Sequence, residues 1–152
     1  GIPSMRVRKI HTGDEKEWVR LRNSLWPDSL QVHLFDVTSF FCGKAIDVVE
    51  VLVLERSAGI LAGFLELNIR NYAEGSKNST VPYIEGWYVD EDLRSQGFGK
   101  LLMEAAEEWA KENGFNELAS DAELENTGSI AAHTALGFEE VERKVCFLKR
   151  LK

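Results

Sequence analysis

The chain has 152 residues, 44% hydrophobic and 28% charged, which suits one domain around one core and excludes a disordered or membrane-embedded composition. No apolar run approaches the roughly 20 residues that cross a bilayer. With 25 acidic against 18 basic residues the net charge is -7, which argues against nucleic acid as a partner and favours a polycationic small molecule.

Gly1-Ile2-Pro3-Ser4 ahead of Met5 reads as an expression-tag remnant, leaving residues 5–152 as the domain. Arg6, Arg8, Lys9 and Asp14 interrupt any signal peptide after Met5, so a cytoplasmic location is expected. Residues 6–10 form a short candidate strand. Asp14 is placed to cap a helix whose Trp18, Val19, Leu21, Arg22 and Leu25 share an amphipathic face, and Trp26-Pro27-Asp28 breaks it. A second helix is expected over Leu30–Phe41. Residues 48–55 and Ile60–Arg70 read as strands of a hairpin turning at Ser57-Ala58-Gly59, and Val81–Val89 as a third strand after the loop 71–80. A glycine-bearing turn over residues 94–100 opens a helix through Leu101, Leu102, Ala105, Ala106, Trp109 and Ala110, closing at Asn113-Gly114. A strand over 116–121, a helix over 127–136 capped by Gly137 and a strand over 138–148 complete the order. A strand, helix and strand around the glycine turn imply a parallel pair, so an α/β (α+β) fold with one mixed sheet is expected. Cys42 and Cys146 are too few and too isolated for a disulfide framework or a zinc site, no metal is expected, and both read as buried thiols. His11 and His33 lack partner spacing and read as surface residues.

Most of the functional information lies in Arg94-Ser95-Gln96-Gly97-Phe98-Gly99-Lys100. Gly97 and Gly99 let the backbone approach a ligand, and the first N–H groups of the following helix are unpaired and attract an anion. Arg94 and Lys100 add positive charge, so a pyrophosphate fits. The turn lacks the Lys-Ser/Thr of a nucleoside-triphosphate loop and the third glycine of a dinucleotide fingerprint.

Arg94-x-x-Gly97-x-Gly99 after Trp87-Tyr88-Val89, followed by Asn126 and Leu136-Gly137-Phe138, resembles the GNAT (Gcn5-related) N-acetyltransferase family over essentially residues 5–152. The resemblance implies a splayed sheet with acetyl-CoA wedged into the gap. It also implies pyrophosphate on the amides of Ser95, Gln96, Gly97, Phe98, Gly99 and Lys100, and pantetheine on Trp87, Tyr88, Val89 and Asn126. Leu25-Trp26-Pro27, Tyr72, Glu85-Gly86 and Ala119-Ser120-Asp121 narrow the likeness to aminoglycoside 6'-N-acetyltransferases, antibiotic-resistance enzymes, and the ending Gly137-Phe138-Glu139-Glu140-Val141-Glu142-Arg143 matches their C-terminal pattern. That likeness implies a substrate pocket of Trp26, Tyr72, Glu85, Asp121 and Glu142. Carboxylates there suit ammonium and hydroxyl groups, and the two aromatic rings suit sugar faces. Glu85 alternates with Ile84 and Gly86, so its side chain is expected on the face opposite both, with Gly86 marking a bulge. Glu85 is the expected base and Asp121 the group that orients the amine in a direct transfer. His133 stands where many family members carry a tyrosine as general acid. A polyamine or a protein N-terminus remains the alternative acceptor, and a binding protein without turnover the alternative class. Family likeness implies a homodimer, and the apolar end of the last strand, Val145–Leu148, is placed to pair or swap.

Overall fold

The computed structural model describes residues 5–152, so the expectation for Gly1-Ile2-Pro3-Ser4 lies outside the described residues. In chain order these form β1 (Arg6–Lys9), α1 (Glu15–Leu25), α2 (Leu30–Phe41), β2 (Glu50–Ser57), β3 (Ile60–Arg70), β4 (Val81–Val89), α3 (Phe98–Glu112) and α4 (Thr127–Ala135). The four strands pair in the order β1-β2-β3-β4, each antiparallel to its neighbour.

Alternation along the strands sends side chains to two opposed cores. Val51, Val53, Leu61 and Phe64 meet Trp18, Val19, Leu21 and Val37 of α1 and α2 on one face. Leu52, Leu54, Leu65, Leu67 and Ile84 meet Leu102, Met103, Ala106 and Trp109 of α3 on the other. Fully buried Trp18 anchors the first core, edge-on to Phe40 at 5.3 Å and to Phe41 at 5.7 Å. In β4 the register slips between Glu66 and Leu67, which face Gly86 and Ile84, and Glu85 is the extra residue. The bulge corrects one expectation. Glu85 bonds Asn68 of β3, while a Cβ on Gly86 would strike Trp26 and Phe64, so residues 85 and 86 share the α1/α2 side.

Asp14 adjoins α1 but makes no side-chain cap. Its carboxylate accepts instead from the Arg8 guanidinium at 2.7 and 2.9 Å and from the His11 N–H at 3.0 Å. The expected strand over 116–121 shrinks to one parallel bridge, Tyr83 to Ala119, held by Ile84 N–H to Ala119 carbonyl and Ala119 N–H to Pro82 carbonyl, both 2.9 Å. That bridge is the only parallel pairing among the described residues. Past Ile84, the free edge of β4 makes no backbone bond to this segment, and the two chains splay apart. The expected strand over 138–148 is not formed. Residues 139–152 are exposed throughout, and a strand's apolar face gains nothing without a surface to cover. Cys42, at the C-terminal end of α2, and Cys146, in that exposed segment, are exposed thiols, contrary to the buried reading. His33 is also corrected, being only 2% exposed, whereas the His11 side chain is 63% exposed as a surface residue should be.

Candidate active site

At the head of α3 the backbone turns through two left-handed residues, Ser95 (φ 63°) and Gly97 (φ 86°), before entering the helix. Glycine meets that conformation at Gly97 without Cβ strain. The first backbone bond of the helix runs from Leu101 N–H to the Gly97 carbonyl, so the N–H groups of Phe98, Gly99 and Lys100 find no backbone acceptor. Gly99 is required for packing, since its Cβ would lie 3.2 Å from the Trp87 ring, whose Nε1–H donates to the Gly99 carbonyl at 3.1 Å. The turn is thereby tied to β4. Arg94 braces it from behind, with Nε donating to the Val89 carbonyl at 3.0 Å and the guanidinium over Tyr88 at 5.4 Å. Gln96 donates to the Asp92 carbonyl, and Lys100 is exposed, reaching only Glu104 at 4.0 Å. Asn126 caps α4, its Oδ1 accepting from Ser129 N–H at 3.0 Å, which leaves its side-chain N–H groups available. Free helix N–H groups, a left-handed turn and an open β4 edge fit a diphosphate followed by an extended polar arm.

Beside the bridge of Tyr83 to Ala119, a cavity of about 340 Å³ is lined by Asp121, Glu142, Glu74, Arg70, Tyr83 and His133 among others. Two of the five expected substrate residues, Asp121 and Glu142, line it. Glu85 lies behind Arg70, which donates to both its oxygens at 2.5 and 3.1 Å, while Asn68 adds a third bond at 3.0 Å. Arg70 also stacks on the Tyr83 ring at 3.6 Å, and the Tyr83 hydroxyl donates to Asp121 at 2.8 Å. The two expected catalytic carboxylates are thus joined through a cation and a phenol. The bond to Glu85 raises the Arg70 pKa, and burial together with the Asp121 bond pushes the Tyr83 phenol up, so neither loses its proton near neutrality. Trp26 and Tyr72 do not line this cavity. Trp26 packs beside Glu85 against Gly86, and Tyr72 is 66% exposed on its loop.

Arg70, Tyr83, Ser120 and His133 also line the cavity; of these only His133 is singled out for a role by the sequence, for its place where many family members carry a tyrosine. Their signal was present in spacing. Asn68 and Arg70, like Tyr83 and Glu85, sit two apart on neighbouring strands and so share a face, and Ser129 and His133 sit four apart on a helix. His133 Nδ1 faces the Ser129 carbonyl at 2.7 Å, which only a protonated nitrogen can use, and Nε2 lies 2.7 Å from the Ser120 hydroxyl. Trp87 and Phe138 hold that ring edge-on at 5.2 and 5.1 Å.

Residues 16–138 match the model of the acetyltransferase (GNAT) family. The chain belongs to the GNAT acetyltransferase family. Among curated members it is 42% identical over 146 residues to aminoglycoside N(6')-acetyltransferase type 1 of Klebsiella aerogenes, covering 95% of this chain and 96% of that one. It is 36% identical to the enzyme of the same name from Stenotrophomonas maltophilia, over 93% of this chain and 90% of that one. Among solved structures, AAC(6')-Iy in complex with the bisubstrate analogue CoA-S-monomethyl-acetylneamine superposes with a TM-score of 0.87 at 33% identity, covering 97% of this chain and 99% of that one. AAC(6')-Ih from Acinetobacter baumannii gives 0.86 at 35%, covering 98% and 100%. The splay, the turn before α3 and the cavity beside Asp121 are therefore features of a GNAT acetyltransferase chain.

Proposed function

We propose that this GNAT chain transfers an acetyl group from acetyl-CoA to the 6'-amino group of aminoglycosides, directly and within one ternary complex. The observation that carries the acceptor reading is the charge of the cavity. Its basic residues are already matched: Arg70 by Glu85, Lys144 by Glu74 and Arg143 by Glu140. Asp121, Glu123, Glu139 and Glu142 line the same space with no cation paired to them among the described residues, which suits a ligand carrying several ammonium groups. Relatives at 35–42% identity carry the aminoglycoside N(6')-acetyltransferase name.

Acetyl-CoA supplies the activated acetyl group. The free N–H groups of Phe98, Gly99 and Lys100, with Ser95, Gln96 and Gly97, would hold its diphosphate, Trp87, Tyr88 and Val89 its pantetheine arm along the open edge of β4, and Asn126 that arm from the opposite side. Arg94 supports this turn rather than presenting its charge to the ligand. On the amine side, Asp121 has one oxygen taken by Tyr83 and the other free to orient the acceptor nitrogen. Glu85, whose oxygens already accept from Arg70 and Asn68, takes the amine proton through a water. Trp26, Tyr72 and Glu142 bound the sugar side. The same reading makes the enzyme cytoplasmic and a homodimer; the dimer is supported by Val145, Phe147 and Leu148, which are 68, 92 and 82% exposed in a segment without strand partners. Sedimentation at micromolar concentration should give twice the chain mass; a monomer would remove the dimer from this reading.

The function is tested by thiol release from acetyl-CoA against paired aminoglycosides that differ only in a 6'-amino or 6'-hydroxyl group. Release with the amine alone is expected. Turnover on a polyamine or peptide with none on the aminoglycosides would reject the acceptor, and binding of both ligands without thiol release would reject catalysis.

A further inference from the structure

Beneath Trp26 lies a polar network that the acetyl transfer does not use. Glu66 of β3, 2% exposed, accepts from the Trp18 indole N–H at 3.0 Å and from Arg22 Nη1 at 2.9 and 3.0 Å. Arg22, 6% exposed, spends its remaining donors on two residues of α2: Nη2 on Asp36 at 2.7 Å and Nε on His33 Nδ1 at 3.1 Å. A guanidinium only donates, so His33 Nδ1 must be bare and Nε2 carries the proton, which it gives to the Trp26 carbonyl at 2.7 Å. Each contact fixes the next.

The same residues hold the Trp26 indole. His33 stacks on it at 6.1 Å and 28°, the Arg22 guanidinium lies 5.2 Å from its centre, and Phe64 meets it edge-on at 6.1 Å. Its far edge rests on Gly86, where a Cβ would come within 2.6 Å. Gly86 follows the bulged Glu85 and faces Glu66 across the sheet. Trp26 otherwise sits in a weakly determined place, past the last turn of α1, before Pro27 and before Asp28 at φ 70°. An ion network in a core is a poor source of net stability against an apolar alternative, because desolvation offsets the attraction. What it supplies is direction.

We infer that Arg22 and His33 are positioning residues for the amine acceptor, holding the Trp26 indole against Gly86 beside Glu85 as a fixed wall for a cyclic, cationic substrate. The inference rests on the reading that Trp26 touches the acceptor, and the experiment separates the two. His33→Asn keeps an acceptor for Arg22 Nε but removes the donor to the Trp26 carbonyl. In His33→Asn the KM for the aminoglycoside should rise about three- to tenfold, as for loss of one aromatic–cation contact. The KM for acetyl-CoA and kcat should stay near the parent values, while the melting temperature falls by a few degrees because the Trp26 carbonyl loses its donor. His33→Gln, whose amide reaches the Trp26 carbonyl, should recover most of the loss. Trp26→Ala should raise the acceptor KM at least as much, and adding His33→Asn to it should change nothing further, because both act through one ring. An unchanged acceptor KM in Trp26→Ala would overturn the underlying reading. A raised value there with a parental value in His33→Asn, or additive losses in the double variant, would overturn the positioning role itself.

Discussion

Glu85 shows how a strand residue acquires chemistry from its neighbours. The family likeness made it a candidate and a bulge was expected at Gly86, but the extra residue is Glu85 itself, which turns its side chain to the same face as Gly86 rather than the opposite one. Arg70 and Asn68 then take both carboxylate oxygens, so in the proposed mechanism the amine proton would reach Glu85 through a water. Glu85→Gln keeps the shape and a hydrogen-bonding oxygen for Arg70 while removing the base. Turnover is expected to fall about a hundredfold or more, the range of a lost general base. Calorimetry should find acetyl-CoA affinity unchanged. Full turnover in this variant would end the base assignment.

At the scale of elements, the turn before α3 was readable because its requirements are local. A left-handed residue at the start of a helix calls for glycine, and free N–H groups follow from helix geometry whatever surrounds them. Gly97→Val places a β-branched residue at φ 86°, a strain of about 1–2 kcal/mol. Nothing lies within 4 Å of that Cβ, so the cost is conformational and the turn, not the core, gives way. Acetyl-CoA binding measured by calorimetry should weaken at least tenfold, with aminoglycoside binding little altered. Equal affinity for acetyl-CoA would show that these amides are not the anion site. The final segment behaves in the opposite way. Val145, Phe147 and Leu148 have strand character yet are 68, 92 and 82% exposed, whereas Val141 of this segment packs back onto the chain, against Gly75.

Across the whole molecule, charged residues join elements far apart in sequence. Arg8 of β1 binds Asp14, 1% exposed, and Glu55 of β2 together. The Arg8 guanidinium, with Arg6, holds the Glu55 carboxyl below its usual range; burial opposes ionisation of Asp14, but Arg8 and the His11 N–H outweigh it and its pKa is lowered too. Carboxyls with lowered folded pKa values add stability that is present above the unfolded values of 3.8 and 4.5 and is lost as pH falls below them. Arg8→Met should therefore cost about 1–3 kcal/mol at pH 7, as for charge-assisted hydrogen bonds lost from a partly buried cluster. In melts taken at decreasing pH, its deficit against the parent should narrow below about pH 4. A constant deficit would show that Arg8 acts by packing alone.

From the sequence by itself came the helices, the three long strands and the glycine turn, written in local patterns, together with the acidic balance of the whole chain and a family resemblance carried by motifs spread along it. Tertiary structure alone decided the rest: the Arg70 bridge between Glu85 and Asp121, the buried His33 under Trp26, the exposed thiols and the unpaired final segment. The reason is physical. Periodicity reports which face a residue takes, whereas a carboxylate's partner, a histidine's proton and a strand's neighbour are chosen by atoms brought close only when distant segments pack.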